Sequence, residues 1–153
     1  MRRALKLPVT FGLLFSFFAC GGADDANSEM DPEPEVSTQP SITVRIVSPQ
    51  AGSEVGRDVR VVLETDGIEI VPISPPVPGT GHHHLYLDSD VTSLSDVIPA
   101  GDPMIVHKGD GSTGHTFEGL EPGPHRIIAL VANPAHIPLD PPVTDTVNFT
   151  VGN

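Results

Sequence analysis

The sequence predicts an all-β chain: an immunoglobulin-like antiparallel β-sandwich of about seven strands over residues 41–153, following a disordered acidic tether. Two observations lead to this. Apolar and polar residues alternate with a period of two in a series of short runs. Seventeen prolines and fifteen glycines separate those runs at regular spacing, as turns between short strands require. A domain of about 110 residues buries about two-thirds of its unfolded surface, enough to fold without disulfides or metal. The single cysteine excludes an intramolecular disulfide framework. The Cys…Trp…Cys hallmark of true immunoglobulin domains is absent, so pattern alone supports the assignment.

Residues 1–19 read as a signal peptide. Arg2, Arg3 and Lys6 precede an apolar run from Leu7 to Phe18, too short for a membrane-spanning helix of about 20 residues. The run ends in Ala19-Cys20-Gly21-Gly22, which resembles a bacterial lipobox, where cleavage precedes a cysteine that is then acylated. Cys20 is therefore the expected lipidation site, and several acyl chains would hold it firmly on a membrane. Gly21 in place of aspartate, by resemblance to enteric lipoproteins, points to the outer membrane. Residues 20–40 carry Asp24, Asp25, Glu29, Asp31, Glu33 and Glu35 among prolines, with too little apolar surface to offset ordering entropy. This tether spans about 60 Å when extended.

Alternation begins at residue 41. Ile42, Val44 and Ile46 mark a first strand over 41–47, and Val59, Val61 and Leu63 a second over 58–64. Asp66-Gly67 turns into a short apolar run over 68–71. Four prolines make 72–81 a loop, and a third strand follows over 82–88. The connection 89–101 is polar, with a helical turn near 93–97. Further strands are expected over 104–107, 115–118, 125–132 and 143–151.

Gly81-His82-His83-His84-Leu85-Tyr86-Leu87-Asp88, Ile98-Pro99-Ala100-Gly101-Asp102-Pro103, Pro122-Gly123-Pro124-His125 and His136-Ile137-Pro138-Leu139-Asp140-Pro141-Pro142 occur in that order. Together they resemble a bacterial family of unknown function, small exported domains with a Gly-His-His-His-Leu-Leu-Ile-Asp signature. The resemblance covers 42–151 and implies an exported β-domain without an assigned activity. Leu139 stands where many members have another histidine, and Asp110-Gly111-Ser112-Thr113 replaces the usual glycine–glutamine turn.

In such a sandwich the connection from the second to the third strand, the 108–112 turn and the 133–142 loop gather at one end. His82 and His84 then approach His107, His115 and His136, while alternation turns His83 to the other face. A His-x-His pair opening a strand, joined by loop histidines, suits Zn or Cu(II). The candidate ligands are His82, His84, His107 and His136, with His115 as a further one. The competing reading is structural: the rings hydrogen-bond loop carbonyls and pin the proline-rich loops. His125 falls at the opposite pole and is expected to tie down the corner before its strand. Metal binding needs neutral imidazoles, so affinity is expected to weaken as pH falls through about 6.5. If 68–71 were a full strand, the end assignments of later segments would invert.

Enzymatic chemistry has no signature. No serine sits in a Gly-x-Ser-x-Gly elbow. Asp88 with Asp90, or Asp140 with Asp145, fits turn carboxylates better than an acid–base pair. Asp110-Gly111 begins like a calcium loop but lacks the later acidic positions. Twenty acidic against eight basic residues repel nucleic acid and anionic headgroups. The sequence thus predicts a non-enzymatic envelope lipoprotein, a tethered module that binds or scaffolds a protein. The alternative is a periplasmic or surface Zn/Cu-binding protein.

Overall fold

The computed structural model describes residues 41–153; the leader, Cys20 and the tether lie outside the described residues. Nine strands follow in order: β1 (Thr43–Ser48), β2 (Glu54–Val55), β3 (Val59–Asp66), β4 (Glu69–Ile70), β5 (Thr80–Leu87), β6 (Ile105–Lys108), β7 (Gly114–Phe117), β8 (Gly123–Ala132) and β9 (Thr144–Val151). One sheet has the order β1-β3-β7. The other runs β2-β9-β8-β5-β4, and β6 also pairs with β5. Among the described residues there is no helix.

Alternation builds the core. Val44, Ile46, Val59, Val61 and Leu63 face inward from the first sheet, while Arg45, Arg60 and Glu64 face water. Leu85, Leu87, Ile127, Ala129, Val131, Val147, Phe149 and Val151 meet them from the second. Each such aliphatic side chain, fully buried, contributes about 1.5–3 kcal/mol. A second apolar layer lies on the far side of the second sheet, where Tyr86, Ile98, Leu130 and Ala132 pack together. Ile98 comes from the long connection between β5 and β6, which covers this outer face. With both faces covered, every residue of β5 is buried, three consecutive histidines included.

All seven predicted strands form, within two residues at each end. The two additional strands are two-residue ladders: β2 runs parallel to β9 and β4 parallel to β5. The 68–71 run is therefore no full strand. It carries the chain from the first sheet to the second, after a turn at Gly67. That position has φ +80°, and a Cβ there would lie 2.8 Å from the Ser41 carbonyl oxygen, so only glycine fits. The helical turn expected near 93–97 does not form. Ser93 instead accepts hydrogen bonds through Oγ from the Ser95 and Asp96 amides, an alternative to helix that serine side chains offer.

The placement of β6 matters most for function. In a constant-type immunoglobulin domain the strand at this point joins the sheet formed here by β1, β3 and β7. Here β6 pairs with β5, with His84 opposite His107.

Candidate metal centre

Residues two apart on a strand share a face, so His82, His84 and Tyr86 all point to the outer side of the second sheet. The antiparallel register sets His107 directly across from His84. The fourth ring arrives from the loop between β8 and β9. His136 adopts φ +60°, and its turn is built by Asn133, whose side-chain oxygen accepts from the amides of Ala135 and Ile137. The His136 carbonyl in turn accepts from the Ile98 amide at 2.8 Å.

These four rings form one compact group. One nitrogen from each lies within 4.8 Å of all the others. His82 Nε2 stands 2.9 Å from His84 Nε2, and His136 Nε2 stands 3.1 Å from His107 Nε2. Metal–nitrogen bonds of about 2.0–2.1 Å set ligand atoms about 3.3 Å apart in a tetrahedron and about 2.9 Å apart at the corners of a square. These two separations are on that scale, and all four ligand atoms lie within 4.8 Å of one another. The donor set fits a divalent borderline metal: four imidazoles with no sulfur. His82 and His84 are buried, His136 half-buried and His107 exposed.

Burial first, and then the neighbouring histidines, lower the His82 pKa to about 4 and that of His84 to about 3. Burial and His136 also lower His107, partly opposed by Asp110. His82 and His84 are therefore held neutral, the form in which imidazole binds metal. Nδ1 of both His82 and His84 is buried without a hydrogen-bond partner. Among the described residues none of the four side chains bonds a loop carbonyl; their hydrogen bonds run to one another.

The cluster sits on the outer face of the second sheet, near the end where the β8–β9 loop supplies His136, and the pairing of β6 with β5 brings His107 to it. His115 does not join it. That ring lies on β7 in the opposite sheet, edge-on to Phe117 with centroids 4.6 Å apart. His83 points into the interior, where its Nε2 is 2.7 Å from Thr65 Oγ1. Leu139 packs against the inner core, so the departure from the family signature there leaves the cluster untouched. One contributor that sequence reasoning missed is Gly109. A Cβ at this position would lie 2.6 Å from His107 Cε1 and 3.0 Å from its Nε2, so the glycine makes room for the ring.

His125 lies away from the cluster, at the start of β8. Its Nδ1 is 2.7 Å from Asp88 Oδ2 and its Nε2 is 2.8 Å from the Glu121 carbonyl. Two acceptors require two donors, which only the imidazolium supplies. Burial lowers its pKa, but the Glu121 carbonyl and the Asp88 carboxylate outweigh that and raise it overall. A raised folded pKa contributes stability below about pH 6.5 and loses it as pH rises through the folded value. The stability difference between the native protein and His125→Ala should accordingly shrink by about 1–2 kcal/mol from pH 6 to pH 9. Urea unfolding at both pH values measures this, and a constant difference would exclude the charged pair.

The carboxylates are likewise occupied. Asp88 also accepts the Arg126 amide, and Asp90 pairs with the Arg126 guanidinium at 2.6 Å. Asp145 accepts the Ile46 amide at 2.7 Å, tying β9 to the edge of β1. Asp110 accepts the amide and hydroxyl of Ser112, forming a local turn.

Residues 61–152 match the profile of a domain of unknown function (DUF4399). No curated protein matches the sequence. Among solved structures, the endo-β-1,4-mannanase from Thermotoga petrophila is similar over 74% of this chain at 12% identity, with a TM-score of 0.44. The chain spans only 20% of that enzyme's length.

Proposed function

The chain belongs to the DUF4399 family, a domain of unknown function, and from that premise we propose that it is a metal-binding β-sandwich. It takes one Zn(II) or Cu(II) ion through His82, His84, His107 and His136. The observation that carries this is the convergence of four ring nitrogens within 4.8 Å, with no other side chain or carbonyl among the described residues bonded to them. Histidines that pin loops find acceptors, as His125 does at Glu121. These four have only each other, and a shared cation meets the need of all of them at once. The reading is a binding role without catalysis, displayed from the bacterial envelope, with Cys20 as the lipid anchor and residues 20–40 as spacer.

Protein purified without a histidine tag should bind one Zn(II) or Cu(II) per chain, by metal analysis and titration calorimetry. Absence of saturable binding at pH 7.5 would return all four histidines to a structural role. Gly109→Ala supplies a finer check. The added methyl turns the His107 ring out of the cluster without touching another ligand. Metal affinity should fall by about 10–100-fold, the usual cost of disturbing a ligand's support, while the metal-free melting temperature stays close to native. The anchor is tested separately. Mass spectrometry of the membrane-extracted protein should show an acylated N-terminal Cys20, and a free thiol there would refute it.

A further inference from the structure

We propose that the metal held by this cluster keeps one coordination position open to an adjoining cavity, where it binds a small carboxylate with a short apolar body; this rests on the metal reading above. The cavity measures about 340 Å³ and is lined by His84, His107 and His136 together with Ile98, Pro99 and Ile105. Its volume falls at the lower end of the range of about 300–1,000 Å³ typical of small-molecule sites. His82 does not line it. An ion among the four nitrogens would therefore be approached from the cavity past His84, His107 and His136. A fully enclosed four-ligand site, the structural arrangement for zinc, would leave no such approach.

Charge decides the ligand's class. Four neutral imidazoles leave a divalent ion with both of its charges, and no carboxylate belongs to the group. The nearby Asp110 is engaged with Ser112 and lies 3.5 Å from Lys108. A double charge held on one side by the buried His82 and His84, without a counter-charge, is costly, so an anion is the favoured occupant of the open position. The wall decides the rest. Ile98 is buried, Ile105 half-buried, and Pro99 has no amide proton to donate. Such a wall suits an alkyl group. It is also fixed to the site, because the Ile98 amide donates to the carbonyl of His136.

Co(II), whose visible absorption reports its coordination where zinc is silent, tests this in the full-length protein. Co(II) loading is measured first, so failure of the metal reading shows before any anion is added. The loaded protein is then titrated with acetate, butyrate and phosphate. The expected result is a saturable spectral change with both carboxylates, and butyrate tighter by about tenfold for its two extra methylenes. Ala100→Phe, which fills the cavity from its exposed rim, should erase the butyrate preference and leave Co(II) stoichiometry unchanged. A spectrum unmoved by every anion would mean a closed four-histidine site. Equal acetate and butyrate affinities would place the anion outside the cavity, and tighter phosphate binding would overturn the carboxylate assignment.

Discussion

Replacing His84 with alanine should lower Zn(II) or Cu(II) affinity by about 100-fold or more, whereas His125→Ala should leave metal binding intact. His84 is the ring that touches every part of the site. It lies 2.9 Å from His82 through Nε2, packs against His107 with centroids 4.9 Å apart, and faces the cavity. Disturbing a ligand's support alone costs about 10–100-fold, so removing the ligand costs at least the upper value. The metal-free fold should tolerate the change. The cavity left by the ring is destabilising, but His84 Nδ1 is buried without a partner, and its removal relieves that penalty. His125 sits about 20 Å along the sheet, since seven residues of β8 separate it from the partner of His82. Competition with a chromophoric chelator gives both affinities. Unchanged affinity in His84→Ala would sink the site, and loss in His125→Ala would mean that the wrong histidines had been chosen.

Period-two alternation made β1, β3 and β9 legible because each has one face on the inner core and one toward water. It also placed His82 and His84 on one face with His83 on the other. What alternation does not encode is which sheet a four-residue strand joins. β6 pairs with β5, and that choice sets His107 on the outer face of the second sheet, beside His84. A second covering layer was equally hidden. Ile98 comes from a connection with no periodicity, yet it is 5% exposed and roofs that face. His115 was drawn toward the site by proximity in sequence to His107, but the turn at 109–113 crosses between sheets. The contribution of Gly109 has no signal in the chain, because it lies in the space left for a neighbouring ring.

Metal retention should persist to about pH 5, below the pH at which ordinary histidine sites release. An imidazole with the reference pKa of about 6.5 is protonated about thirtyfold over its neutral form at pH 5, which weakens a site by that factor for each such ligand. The sequence alone implied release through that range. Burial changes it, since His82 is lowered to about 4 and His84 to about 3. At pH 5 both remain neutral, so together they spare a loss of about a thousandfold. The same shifts act on the metal-free fold with a definite sign. Below about pH 6.5 the unfolded chain binds more protons than the native one, so stability falls as pH drops toward 4. A bound ion opposes that fall, and the melting-temperature difference between loaded and metal-free protein should remain large at pH 5. Equilibrium dialysis from pH 7.5 to 4.5, beside a hexahistidine peptide, decides the matter. Release at the same pH as the peptide would show that these imidazoles are not held neutral, and so that the cluster is more open to water than its burial implies.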